Sequence, residues 1–334
     1  MPIKSTQSGM LSRPVLVVCA NPALEITFPI ENRWGRFSSC HRATWEPAGK
    51  GTTVARILGA LRVPSFLIGL SGGYVGQYLK RRLTDEGIRF ELIDLLPETR
   101  CSVAMVDQFG KASILREDGP RVPRHGHAQL LNLAARHLRN ASCLCVSGSL
   151  PTGLRRSLYS DLCNLATSAG KLAFLDCSGP VLLAALKRKP FLVKINREEA
   201  EATLGQSVDS NLAGMRALRA FTELGARNVL ISLGKDGAVA LIEHQLYRIM
   251  VPNIPIRSSV GAGDALMAGL LWAYGREVSW SQRLKLAMGV ALSSTRFLSS
   301  GHIATSFSAA AECVRVTETR AERAKHKCVM VAGH

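Results

Sequence analysis

Residues 144–195 read LCVSGSLPTGLRRSLYSDLCNLATSAGKLAFLDCSGPVLLAALKRKPFLVKI. Three runs in it, Leu144–Ser147, Leu172–Asp176 and Phe191–Ile195, are short, apolar and bounded by turn residues, so they read as buried strands. Between them, Ser157–Ala169 and Val181–Leu186 carry apolar residues at helical spacing. Strand, helix and strand again imply crossover connections, hence parallel pairing with helices on both faces. The rhythm continues outward. Val15–Ala20, Phe66–Leu70 and Val229–Leu233 read as further strands; Thr53–Leu61, Val75–Glu86, Ala128–Arg139 and Leu212–Leu224 read as helices. The expected fold is α/β with a mainly parallel central sheet. Residues 24–45 and the alternating stretch Arg89–Leu115 carry strand signals without helices between them, and these predict a small antiparallel flap.

The chain has 334 residues, 47% hydrophobic and 20% charged, which is globular composition with ample length for a core. Residues 1–13 read as a loose extension, 14–310 as one domain, and 311–334 as a C-terminal helix or tail. No stretch approaches the roughly 18 apolar residues that span a bilayer. Lys4 and Arg13 precede the short apolar run Pro14–Ala20, which fits a first strand better than a leader peptide. Nine cysteines, scattered and without a C-x-x-C pair, read as reduced core residues and predict a cytoplasmic protein. Forty-two Lys and Arg against 25 Asp and Glu give a net charge of +17. The basic residues are dispersed, densest at Lys187-Arg188-Lys189, and aromatics are 6%, so neither a specific nucleic-acid surface nor a membrane surface is expected.

In an open α/β sheet, ligands bind beyond the carboxyl ends of the strands, so the junctions decide function. Ala48-Gly49-Lys50-Gly51 lacks the earlier glycine of a Walker A loop, because position 44 is Thr. Gly49 and Gly261 each open a G-x-G, but Val54 and Leu266 stand where a dinucleotide fingerprint needs its last glycine. The sharpest junction is Ser258-Ser259-Val260-Gly261-Ala262-Gly263-Asp264, which opens the helical run Ala265–Tyr274. Two glycines allow close backbone approach, and first-turn N–H groups can stabilise a phosphoryl group in flight. Asp264 is placed to take a hydroxyl proton; it could equally be a helix cap. Lys194-Ile195-Asn196-Arg197-Glu198-Glu199 follows a strand, and Asn196 and Glu199 could hold hydrated Mg²⁺ or form a capping box. Ser232-Leu233-Gly234-Lys235-Asp236-Gly237 is a glycine turn that also fits a plain hairpin.

In order along the chain, Asn21-Pro22-Ala23-Leu24-Glu25, Ala48-Gly49-Lys50-Gly51, Thr99-Arg100, Ser147-Gly148-Ser149-Leu150-Pro151, Asp176-Cys177-Ser178-Gly179, Lys194-Ile195-Asn196 with Glu199, Ser232-Leu233-Gly234 and Gly261-Ala262-Gly263-Asp264 resemble the ribokinase-like (PfkB) carbohydrate kinases. The resemblance runs from about residue 14 to 305 and is strongest to the branch of 1-phosphofructokinase, tagatose-6-phosphate kinase and the minor 6-phosphofructokinase. It implies a ribokinase-like fold with a β lid, dimerisation through that lid, and transfer of the ATP γ-phosphoryl group to a ketohexose phosphate with Mg²⁺.

By the same resemblance, Asp264 is the base, and Gly261, Ala262 and Gly263 form its anion hole. A helix N-terminus predicts a carboxyl held at or below its ordinary value of about 3.9. Lys194, Asn196, Glu199, Ser232, Gly234, Gly237 and Ser259 fall on the nucleotide side, with Asn196 and Glu199 organising Mg²⁺ through water. Glu25, Arg36, Gly49, Lys50, Thr53, Arg100 and Ser149 fall on the sugar side, with Arg100 on the substrate phosphate and Arg36 as a second cation. Departures cluster there: Glu25 replaces the family's Asp, Thr53 its Asn, and Ala48 its first glycine. A kinase of a non-phosphorylated sugar or nucleoside, and a non-catalytic sugar-phosphate sensor, are the alternatives.

Overall fold

The computed structural model describes residues 13–30, 40 and 42–320. Its strands are β1 (Val15–Cys19), β2 (Ala23–Ile30), β3 (Thr44–Ala48), β4 (Ser65–Ser71), β5 (Phe90–Asp94), β6 (Cys101–Asp107), β7 (Ala112–Arg116), β8 (Cys143–Ser147), β9 (Leu172–Asp176), β10 (Leu192–Asn196), β11 (Val229–Ser232), β12 (Ala238–Ile242), β13 (Gln245–Met250) and β14 (Arg315–Arg320). The helices are α1 (Lys50–Ala60), α2 (Gly73–Asp85), α3 (Gly126–Leu138), α4 (Leu158–Ser168), α5 (Gly179–Leu186), α6 (Arg197–Leu204), α7 (Asn211–Glu223), α8 (Ala262–Tyr274), α9 (Trp280–Ser294) and α10 (Phe307–Glu312).

A ten-stranded sheet runs in the order β14-β13-β12-β11-β10-β9-β8-β1-β4-β5, parallel from β11 to β5 and antiparallel from β11 to β14. Alternate side chains feed two cores. Val15, Val17 and Cys19 of β1 join one, while Leu16 and Val18 join the other, so the strand is apolar on both faces. Sheet and lid separate cleanly: β3-β2-β6-β7 form a second, four-stranded sheet, antiparallel as expected at its outer pairs but parallel at the central β2–β6 pair. One lid face carries the row Glu46, Glu25, Ser102, Arg116; the other carries Trp45, Ile26, Val103, Leu115.

Two expectations are corrected. Residues 90–94 are not lid but the edge strand β5 of the large sheet, because α2 supplies the crossover that returns the chain parallel to β4. Residues 315–320 form β14 rather than a helix or tail: Arg315-Val316-Thr317-Glu318-Thr319-Arg320 pairs antiparallel with β13 along a sheet edge. The remaining strands and helices of the sequence reading fall within a few residues of their observed bounds. Arg36 lies outside the described residues. The described cysteines are unpaired; burial pushes the Cys143 and Cys163 thiols up to about 12, which leaves them unreactive. Among the described residues, no helix is long and apolar enough to cross a membrane.

Candidate active site

The carboxyl ends of β9, β10 and β11 bring Asp176, Asn196 and Ser232 to one edge, facing the N-terminus of α8. Gly261, at φ 77, caps α8 without a side-chain bond, so Asp264 is not a helix cap. A side chain at 261 would meet Ser300 Cβ at 2.6 Å and Thr53 Cγ2 at 3.6 Å, which places Thr53 against this glycine turn. One at 263 would meet Lys194 Nζ at 2.8 Å.

Beneath that turn lies a knot of charge. Asp176 is wholly buried; its Oδ1 accepts from Lys50 Nζ and its Oδ2 from Lys194 Nζ, each at 2.8 Å. Lys50 Nζ also donates to Glu199 Oε1 at 2.5 Å. Burial opposes ionisation of Asp176, but the two ammonium groups hold its carboxyl below the usual range. Burial likewise opposes the charge on Lys50, yet Asp176, Glu199 and Asp264 keep it above an ordinary lysine.

Asp264 departs from expectation. Loss of water around it, then repulsion from Asp176, push its carboxyl up to about 7, against the pull of Lys50 and Lys194. The helix N-terminus, which predicted a low value, is outweighed because the side chain is enclosed by protein on most sides and faces a second carboxylate.

Asn196 and Glu199 form a capping box: Glu199 N donates to Asn196 Oδ1 at 2.8 Å and Asn196 N to Glu199 Oε2 at 3.3 Å. The capping reading is therefore realised, and it leaves Glu199 facing Lys50. These are hard oxygen donors, suited to Mg²⁺ held largely by nucleotide oxygens and water. Among the described residues, no group of three or more His, Cys, Asp or Glu forms a metal cage. Gly234 and Gly237 bracket the one-turn link between β11 and the antiparallel β12, so a plain hairpin is also present. Ser259 is exposed one turn ahead of Asp264.

Lys194, expected beside the nucleotide, is instead a buried counter-ion under Gly263. Lys50, expected on the sugar side, sits in the same knot. Arg100 stands apart. Its Nη2 and Nε donate to the Asn21 carbonyl at 3.1 and 3.3 Å, and Nη1 to the Glu117 carbonyl at 3.0 Å. Among the described residues, no carboxylate lies within 4.0 Å of its guanidinium nitrogens; Glu117's own carboxylate accepts from Cys101 N. A cleft of about 480 Å³ opens over it, bounded by Thr99, Glu117, Asp118 and Gly119. Asn21 Nδ2 reaches Ser149 Oγ at 3.2 Å, and a side chain on the adjacent Gly148 would touch Lys50, so the two halves are continuous. Gly49 packs against the same Asn21 carbonyl.

Glu25 is turned away from this cleft's arginine. Its buried carboxylate accepts from Ser300 Oγ at 3.0 Å and Ser300 N at 3.4 Å, and burial raises its proton affinity. Sequence reasoning assigned no role to Asp176, although a charge ending an apolar strand marks it. It also passed over Arg116, whose position opposite Ser102 and near Arg100 follows only from strand register.

The pfkB family carbohydrate kinase profile matches residues 31–306. The chain belongs to this family. As a pfkB carbohydrate kinase it is a phosphotransferase acting on a sugar alcohol group. Its fold is shared with a possible 1-phosphofructokinase from Thermotoga maritima, at TM-score 0.83, 23% identity, and 92% and 99% coverage of this chain and that one. Phosphofructokinase-2 from Escherichia coli, solved with fructose-6-phosphate, matches at TM-score 0.80 and 22% identity, covering 90% and 98%. Ribokinase from Arabidopsis thaliana, complexed with ribose and ATP, matches at TM-score 0.69 and 19% identity, covering 86% and 95%.

Proposed function

We propose that this kinase transfers the γ-phosphoryl group of ATP to a hydroxyl of a ketohexose phosphate, giving a bisphosphate. Fructose 1-phosphate, fructose 6-phosphate and tagatose 6-phosphate are the substrate class. The observation that carries the reading is Arg100: a guanidinium that, among the described residues, donates only to carbonyls, is open to a cleft, and is continuous with the Asp264 knot. A planar fork of this kind suits a phosphate, which Arg116 then approaches from the lid.

The sugar hydroxyl oxygen forms a bond to the γ-phosphorus as the bond to the β-phosphate oxygen breaks, and its proton passes to Asp264. A carboxyl near 7 makes a competent acceptor at neutral pH. The Gly263 N–H faces the transferring oxygens, while the Ala262 N–H donates to the Ser259 carbonyl at 3.2 Å and braces the turn; Lys50 offsets the charge that gathers there. Mg²⁺, when bound beside Glu199 and Asn196, neutralises triphosphate charge. Ser232, Gly234 and Ser259 line the nucleotide's side. A second copy of the chain covers the lid face bearing Trp45, 48% exposed, and Leu115, 71% exposed.

The test is ADP release from Mg-ATP against the three ketohexose phosphates, free hexoses, ribose and adenosine. Turnover is expected only on phosphorylated ketohexoses. Arg100→Ala is expected to raise KM for the sugar phosphate roughly 10- to 100-fold, the loss of a charge-assisted contact. Turnover confined to free sugars or nucleosides, with KM unmoved by Arg100→Ala, refutes the assignment. Bound ATP with no turnover on any acceptor favours the sensor.

A further inference from the structure

Between α9 and α10 the chain makes a turn over residues 295–301 that meets the anion-hole loop at both of its ends. At one end, the Thr295 carbonyl accepts from Arg257 N at 2.8 Å and Ser258 N at 3.2 Å. At the other, Ser300 lies against Gly261, where a side chain would come within 2.6 Å of its Cβ. The turn is thus the back wall of the loop that presents Ala262, Gly263 and Asp264.

Two groups hold that wall in place. Arg56 of α1, almost wholly buried, donates Nη1 to the Ser300 carbonyl and to the Pro47 carbonyl, both at 3.0 Å. Its other nitrogens are bound by Glu46 at 2.6 Å and Glu86 at 2.6 and 2.9 Å. Gly301 leaves room for that guanidinium; any side chain there would collide with it. Glu25 of the lid strand β2 grips the same serine from the opposite side, through Oγ at 3.0 Å and N at 3.4 Å. Glu25, Glu46 and Pro47 are all lid residues, so both holds on the turn run through the lid.

Resting on the kinase reading above, we infer that Glu25 is a positioning residue rather than a sugar ligand: through Ser300 it fixes the 295–301 turn against Gly261, so that the lid sets the geometry of the anion hole. The extra methylene is what permits it. An aspartate at 25 would fall about 1.5 Å short, one C–C bond, and would lose Ser300 while remaining on the inner lid face. Hydroxyl recognition in the sugar pocket then falls to other groups, Thr53 and Ser102 among them, while Glu25 is committed to the protein.

Two measurements test this. Steady-state kinetics on the preferred ketohexose phosphate are run for Glu25→Ala, Glu25→Asp, Glu25→Gln, Ser300→Ala and the double alanine variant. Amide hydrogen exchange over residues 296–303 is followed in the nucleotide-free proteins, with melting temperature as the check on folding. Glu25→Ala and Ser300→Ala are each expected to lower kcat roughly 10- to 100-fold, short of the roughly 10²–10³-fold cost of removing an oxyanion donor outright, with sugar KM changed less than about threefold. The double variant is expected to be no worse than Glu25→Ala, because that change already removes both bonds to Ser300, of which Ser300→Ala removes one. Exchange over 296–303 rises in both. Glu25→Gln, which keeps an acceptor oxygen, recovers most of the kcat lost in Glu25→Ala, whereas Glu25→Asp does not.

A lower sugar KM in Glu25→Asp overturns the inference. So does a large KM increase in Glu25→Ala with Ser300→Ala silent and exchange unchanged. Should the wild type turn over no ketohexose phosphate, the substrate assignment fails, yet the exchange measurement still decides whether Glu25 holds the turn.

Discussion

Asp264 is the site's most exacting prediction. With its carboxyl at about 7, it is about one-tenth ionised at pH 6 and about nine-tenths at pH 8. If it must be ionised to receive the hydroxyl proton, kcat/KM for the sugar rises about tenfold across that interval. A carboxyl at the helix-terminus value of about 3.9 would leave the profile flat. The assay is ADP release at limiting sugar phosphate and saturating Mg-ATP. Because the substrate's own phosphate titrates near pH 6 (about one unit lower), a control is needed. Lys50→Met provides it: the ammonium lowers the Asp264 value, so its removal moves the midpoint upward, which a substrate titration would not do. Asp264→Asn is expected to lose about 10²–10⁴-fold in turnover and the pH dependence with it. Stability gives an independent reading. A carboxyl whose folded value lies above its unfolded 3.8 contributes stability present below pH 4 (roughly) and lost as pH rises through about 7. Asp264→Asn is therefore expected to gain stability relative to the wild type as pH rises to 8, and the gap narrows on acidification. A flat rate profile between pH 6 and 8, or a midpoint indifferent to Lys50→Met, refutes the reasoning.

Asp176→Asn leaves Lys194 buried without its carboxylate, and urea denaturation is expected to register a loss of about 3–5 kcal/mol; a loss below 1 kcal/mol (roughly the worth of a surface pair) would contradict it. Trp45→Asp, on the outer lid face, is expected to convert a dimer to a monomer in sedimentation velocity while leaving the melting temperature of the monomer near that of the wild type. A wild-type protein that sediments as a monomer at micromolar concentration would end that proposal.

The parallel core was legible because its strands are apolar on both faces and alternate with helices, a pattern that Leu144–Ile195 states almost without interruption. The Gly261–Asp264 turn stood out because two glycines and an acid open a helix there, and the structure places it over Lys194 at the N-terminus of α8. What escaped depends on pairing across distance. Periodicity of two marks Phe90–Asp94 as a strand but not which sheet takes it, and the polar edge strand β14 has no apolar face to advertise itself. The proton affinity of Asp264 is raised first by burial and then by Asp176 at the end of β9, neither visible from its own helix, so reasoning from that helix gave the wrong direction. Glu25 looked like a lengthened sugar ligand because nothing in residues 21–25 mentions Ser300.

The lid's central pair has a kinetic meaning. Strands β2 and β6 lie parallel, with Leu24 opposite Cys101, so closing that pair requires the intervening β3, α1, β4, α2 and β5 to be traversed first. Contacts of such long sequence separation carry the largest loop-closure entropy and form after local ones. The body's β4–β5 unit can assemble through the single crossover helix α2, whereas the lid has no complete sheet until two excursions from the body meet. The lid thus assembles after the local β4–β5 unit that it encloses in sequence, and a chain caught before that event leaves Ser300 without its Glu25 partner.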